Sequence, residues 1–163
     1  MYTLLKFPDI FLRKKINHFD FTNNLQDPIE LEKNMLDFMY ATNGIGLAAN
    51  QIGVDARVFV MGHKDNKLLG KAFFNPMIIS TSQNILTKEE GCLSFPNIFV
   101  PVKRPEFIHA KWQNSFGQWE DGILEGYDCK CFLHELDHLE GIVFKDRVSN
   151  LKWNLAIKKG NKR

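Results

Sequence analysis
Apolar residues first recur at helical spacing between residues 27 and 42. Leu31, Met35, Phe38, Met39 and Thr42 form one stripe. The preceding Asp27-Pro28-Ile29-Glu30 places an N-cap carboxylate, a first-turn proline and an acid where a helix start wants them. Asn43-Gly44 supplies the stop. A helix over about 27–42 is predicted, its stripe turned to the core. Residues 1–25 carry no such period and read as irregular, with Leu4, Leu5 and Phe7 packed on the body and Arg13-Lys14-Lys15 in a solvated turn.

From 56 to 123 the texture changes to short strands. Arg57–Met61, Ala72–Ser80 broken by Asn75-Pro76, Ile98–Val102 and Phe107–Trp112 carry the β-branched and aromatic residues of half-buried strands. Asn114-Ser115-Phe116-Gly117 reads as a turn into a further strand near Gln118–Leu124. Such close spacing favours antiparallel hairpins over parallel units, which need long crossovers. Gly44-Ile45-Gly46-Leu47-Ala48-Ala49-Asn50-Gln51 reads as a tight loop whose glycines allow a backbone or ligand to come close.

Helical spacing returns over about 125–140. On a helical wheel Tyr127, Cys131, His134 and His138 share one face, while Cys129, Phe132, Leu136 and Leu139 occupy the other. A helix apolar on one side and histidine-bearing on the other is expected to be sandwiched inside the protein, where its polar face needs partners. Gly141 ends it. The tail holds Lys152, Lys158, Lys159, Lys162 and Arg163 without an acid. It reads as a frayed, solvated terminus, with a weak basic patch for RNA or a ribosome surface as the alternative.

Composition narrows the classes. The 163 residues predict one domain, 1–163, and 44% hydrophobic with 25% charged residues is ordinary for a globular chain. A net charge of +2 gives no reason to expect specific DNA binding. No apolar run approaches the roughly 18 residues of a membrane span. Pro8 and Asp9 interrupt the start as a signal peptide. Three cysteines then read as thiols in a cytoplasmic or otherwise reducing compartment, an organelle included.

The candidate chemistry lies in His134-Glu135-Leu136-Asp137-His138. Histidines four apart on a helix can grip one metal ion, with Glu135 beside it as acid or base. A third protein ligand is still required. Downstream there is no His or Cys, only Glu140 and Asp146, so it should come from upstream. Cys92, Cys129, Cys131, His18, His63 and His109 are the candidates. Cys129 is on the wrong helix face, and Cys131 would crowd three ligands onto one helix. Cys92 follows a glycine that permits close approach, although a buried small hydrophobe is its plainer role.

Three segments, in this order, resemble the peptide deformylase family: Gly44-Ile45-Gly46-Leu47-Ala48-Ala49-Asn50-Gln51, Glu90-Gly91-Cys92-Leu93-Ser94 and His134-Glu135-Leu136-Asp137-His138. Weaker similarity covers Pro8-Asp9, Leu12-Arg13, Asn75-Pro76, Arg104 and Leu139-Glu140-Gly141. The resemblance implies an α+β fold with antiparallel sheets around a buried metal-binding helix. It implies one divalent metal on Cys92, His134 and His138, best Fe²⁺, with Zn²⁺, Ni²⁺ or Co²⁺ tolerated. The implied reaction removes the formyl group from the N-terminal formylmethionine of nascent polypeptides. Glu135 would move the proton, Gln51 and the Leu93 N–H would face the oxyanion, and Ile45, Gly46, Glu90, Tyr127 and Cys131 would contact substrate. Asp137 would either orient a ligand or form a surface salt bridge.

The chain departs from the family pattern at Leu133, usually glutamine, and at Lys130, usually apolar and near the methionine pocket; the lysine is expected to reach outward. Many bacterial members also carry a longer C-terminal helix used at the ribosome, whereas this chain stops at Arg163. Two rival readings are another metallohydrolase, such as an HExxH peptidase, and a scaffold that binds nascent chains or RNA without turnover.

Overall fold
The structure, a computed structural model, describes residues 2–23 and 26–161. The first predicted helix is α1, Pro28–Ala41, and the Asp27 carboxylate accepts the Ile29 N–H at 2.9 Å. Its Leu31, Met35 and Met39 are buried in a cluster with Val58, Val60 and Phe74. Within the expected loop after it, Gly46–Ala48 is a short strand, β1, followed by a 3-10 turn over Ala49–Ile52. The remaining strands are β2 (Val58–Met61), β3 (Lys71–Thr81), β4 (Ile85–Cys92), β5 (Phe95–Pro105), β6 (Phe107–Gln113) and β7 (Trp119–Glu125).

All pairings are antiparallel: β1-β2-β3-β6-β7 form one sheet, and β4 and β5 form a separate hairpin. Asn75-Pro76 does not break β3. It lies at a register shift between Phe74 and Met77, so one continuous strand absorbs it as an irregularity. Asn75 has φ 49°, and its side chain accepts the Phe19 N–H at 2.7 Å and donates to the Phe19 carbonyl at 2.9 Å, tying the N-terminal arm down. β4 was not expected from sequence, because Ile85 through Glu89 are all exposed and show no alternation of polar and apolar positions.

The second predicted helix is α2, Gly126–Leu139, and it is two-faced as expected. Cys129, Phe132 and Leu139 enter a core with Phe59, Phe73 and Trp112, where the Phe132 ring meets Phe59 and Phe73 edge-on at 5.0 and 5.4 Å. Full burial of such a ring is worth about 1.5–3 kcal/mol. The opposite face looks towards the β4–β5 hairpin. At the C-terminus Gly141 takes φ 72°, and the Ile142 N–H closes back on the Asp137 carbonyl at 2.9 Å.

The tail corrects an expectation. Residues Asn150–Gly160 are a helix, α3, and not a frayed end. Ser149 caps it, and Trp153, Ala156 and Gly160 are buried at helical spacing. The Trp153 ring packs edge-on against Phe95 of β5 and Phe144, at 5.7 and 5.6 Å. Lys152, Lys158 and Lys159 lie on its exposed side, while Lys162 and Arg163 fall outside the described residues. Among the described residues no helix is long and apolar enough to cross a membrane.

One buried ion network fastens α2 to the hairpin. Arg104 of β5 donates to Glu90 of β4 at 2.8 and 3.1 Å and to Asp137 of α2 at 2.7 Å. Asp137 also accepts from Arg147, with Nε at 3.0 Å. The side chains of Arg104, Glu90 and Asp137 are 8%, 2% and 9% exposed, so each would be costly to leave unpaired. Burial opposes the charge on Glu90, but hydrogen bonds from His134 and Arg104 and their positive charges outweigh it and hold the carboxyl at about 2, against an ordinary 4.5. The stabilisation from Glu90 is therefore complete above pH 4.5 and is lost as pH falls towards about 2. Glu90→Gln should cost roughly 3 kcal/mol near neutral pH and remove that acid-sensitive component. Urea midpoints measured in chelator across this pH range check it; parallel pH profiles for variant and wild type would contradict it.

Candidate active site
The polar face of α2 carries His134 and His138, whose ring centroids are 5.0 Å apart. Cys92 ends β4 just past a register shift after Gly91, which turns its thiol towards them. One ligand atom from each of Cys92, His134 and His138 lies within 4.8 Å of the others. The Nδ1 of His134 is 2.9 Å from Glu90 Oε2. That bond places an N–H on Nδ1, so Nε2 is the nitrogen that a metal would meet. The Nε2 of His138 lies 3.3 Å from Cys92 Sγ.

A thiolate and two neutral imidazoles, one oriented by a buried carboxylate, fit a divalent transition metal with a position left open for water or substrate. Burial holds His138 well below its usual pKa, with the charges of His134 and Arg104 acting in the same direction, so it is neutral and ready to ligate. His134 stands well above its usual value: burial works against the proton, but Cys92 and Glu90 hold it. A metal binding there must displace that proton.

His134 forms part of the wall of a cavity of about 660 Å³ between α2, the hairpin and the Gly44–Gly46 segment. Ile45, Gly46, Gln51, Glu90, Cys92 and Leu93 also line it, as do Cys131 and Glu135. Among the described residues, Glu135 Oε2 and His138 Nδ1 are buried without a hydrogen-bond partner. Burial raises the Glu135 carboxyl to about 7; His134 opposes the shift and Glu90 adds to it. Gln51 is held at both ends of its amide. Its Oε1 accepts the Ala48 N–H at 2.8 Å, and its Nε2 donates to Ser94 Oγ at 3.1 Å, 3.5 Å from Cys92 Sγ.

The close approach expected at Gly46 is made by side chains of α2. A Cβ there would sit 2.7 Å from Cys131 Sγ and would also run into the Glu135 carboxylate. The Cys131 thiol points to the Ile45 carbonyl at 3.6 Å and is kept protonated, chiefly by burial. Glu90 lines the cavity, but its oxygens are engaged by His134 and Arg104. Tyr127 stands at the rim, 39% exposed beside His63, and is not part of the wall. Cys129 points away, to the Pro105 carbonyl at 3.4 Å.

Asp137 is a buried network member, not half of a surface salt bridge. Sequence reasoning gave no role to Ser94, which fixes the Gln51 amide, or to Asn50, which donates to the His138 carbonyl at 2.6 Å. Arg104 was visible only as an isolated match. No spacing rule connects it to Glu90 or Asp137, because the connection is made by the hairpin.

Comparison with known proteins agrees with this geometry. A family model described as polypeptide deformylase matches residues 1–154. The peptide deformylase of Thermotoga petrophila is 40% identical over 162 residues, covering 98% of this chain and 94% of its own. The crystal structure of a peptide deformylase from Legionella pneumophila superposes with a TM-score of 0.90 at 34% identity, covering 99% of this chain and 94% of the other. That of Synechococcus elongatus, in complex with actinonin, gives 0.90 at 30% identity over 98% and 88%. With the motifs, the fold and the convergence of Cys92, His134 and His138 in agreement with these matches, the chain belongs to the polypeptide deformylase family.

Proposed function
We propose that this protein hydrolyses the formyl group from the N-terminal formylmethionine of nascent polypeptides, releasing formate, with Cys92, His134 and His138 holding one divalent metal. The observation that carries the reading is the buried Glu135 carboxylate, with one oxygen unpartnered, beside the Cys-His-His group. Fe²⁺ is the proposed metal, and the same donor set accepts Zn²⁺, Ni²⁺ or Co²⁺. Such a metal supplies Lewis-acid activation of water and of the formyl oxygen.

The side chains divide the remaining work. Glu135 takes the proton of the attacking water and returns it to the departing amine; a pKa raised to about 7 keeps both of its protonation states accessible near neutrality. The Gln51 Nε2 and the Leu93 N–H donate to the oxyanion, and the Ala48 and Ser94 bonds hold the Gln51 amide in the required orientation. Glu90 is a positioning residue for His134, not a substrate contact, and Arg104 holds Glu90. Gly46 leaves room for Glu135, and Ile45 and Cys131 complete the wall.

The expected location is the cytoplasm or an organelle. The exposed lysines of α3, Lys152, Lys158 and Lys159, offer a weak contact for a ribosome surface.

Anaerobically purified protein should release formate from formyl-Met peptides without cleaving the backbone; peptide-bond cleavage would favour the peptidase reading instead. Glu135→Ala should retain metal near the wild-type level while turnover falls about 10²–10⁴-fold. Substantial remaining turnover would reject Glu135 as the proton carrier. Cys92→Ser should lose the iron-supported activity and most of the bound iron, and retention of both would remove Cys92 from the ligand set.

A further inference from the structure
The N-terminal arm reaches both turns that carry the proposed oxyanion donors. The Leu5 N–H donates to the Gln51 carbonyl at 2.8 Å, and the Phe7 N–H donates to the Ser94 carbonyl at 3.1 Å. Gln51 lies in the 3-10 turn after β1, and Ser94 follows Leu93 in the turn between β4 and β5. Between the two turns, Gln51 Nε2 donates to Ser94 Oγ at 3.1 Å. The bonds therefore close a ring: arm to Gln51, Gln51 to Ser94, and Ser94 back to the arm. The two arm donors are two residues apart, so the backbone joining them spans at most about 7 Å. The arm thus limits how far the two turns can separate. Gln51 and Ser94 are each 1% exposed, and lifting the arm would leave their buried carbonyls short of a donor.

Side chains hold the arm at both donors. Leu4, just before the first, packs with Leu93 against the cluster of Leu31, Met35 and Met39. Phe7 carries the second and stacks its ring on Phe95 of β5, with centroids 4.9 Å apart and planes 22° from parallel. The Lys145 ammonium and the Arg13 guanidinium lie 5.3 and 5.7 Å from the centre of the same ring. Phe95 directly follows Ser94, so the stack fixes the arm to the strand whose first residue adjoins the accepting carbonyl. Oxyanion donors act only where they are held at the position of the developing charge, and a misplacement of about 1 Å can cost about 10²-fold in rate. We propose that Phe7 is a positioning residue for the oxyanion donors: by stacking on Phe95 it holds down the arm that fixes the Gln51 turn relative to the Leu93-Ser94 turn. This inference rests on the deformylase reading above.

Formate release from a formyl-Met peptide, measured with the full metal-loaded chain and normalised to bound metal, separates positioning from general loss of structure. Phe7→Ala should lower kcat about tenfold or more, while KM and metal content stay within about twofold of wild type. Phe7→Tyr keeps the ring and should restore kcat. Gln51→Met removes the side-chain donor at similar volume. On that background Phe7→Ala should cost less than about threefold, because the donor it positions is gone. A fully additive loss in the double variant, a wild-type kcat for Phe7→Ala, or equal effects of alanine and tyrosine would overturn the proposal. So would a loss confined to KM or to metal content. If Phe7→Ala does not fold, Phe7→Leu carries the same expectation, since it keeps apolar bulk against Phe95 without the flat ring. Absence of formate from the wild type would instead overturn the deformylase reading, and the proposal with it.

Discussion
The bond between Arg104 and Glu90 is the constraint on which the site depends. Arg104 lies on β5, Glu90 on β4, and the other carboxylate that Arg104 engages, Asp137, lies on α2. One guanidinium therefore fixes the distance between the hairpin and the helix. Glu90 passes the constraint on to the Nδ1 of His134. A planar fork of donors suits this task because it meets two carboxylates in defined directions, which a lysine ammonium would not. The arrangement is stable only as a whole, since loss of one partner leaves another buried and charged.

The two faces of α2 explain why the network is needed. Its apolar face is fixed by shape, with Phe132 between Phe59, Phe73 and Trp112. Its polar face could not be buried by packing alone. The hairpin covers it with groups that either pair, as Glu90 and Arg104 do, or converge, as Cys92 does with the histidines. Glu135 is only partly satisfied. It is buried with one oxygen unpartnered and with its pKa raised, an energetic cost expected where a carboxylate must exchange a proton.

How much of this could be read in the sequence depended on whether the signal was local. The Asp27-Pro28 cap and the apolar stripe of α1 are local, as is the two-faced wheel of α2, and both helices lie close to the expected bounds. β4 was invisible because a hairpin strand with both surfaces largely in water has no alternation to show. In α3 the lysines dominated the reading and hid the Trp153, Ala156 and Gly160 stripe, which has meaning only once Phe95 and Phe144 lie opposite. At the site, His134 and His138 announce themselves by spacing, while Cys92 needed the family resemblance to be singled out. The roles of Arg104 and Ser94 were not legible, because they exist only after strands distant in sequence have paired.

The proposed site requires the hairpin and α2 to be held so that one sulfur and two imidazole nitrogens meet at a single ion. X-ray absorption at the metal edge of the anaerobically loaded protein tests it most directly. One sulfur scatterer and two imidazoles are expected from Cys92, His134 and His138, with the sulfur lost in Cys92→Ser. A first shell of nitrogen and oxygen alone in the wild type would contradict it.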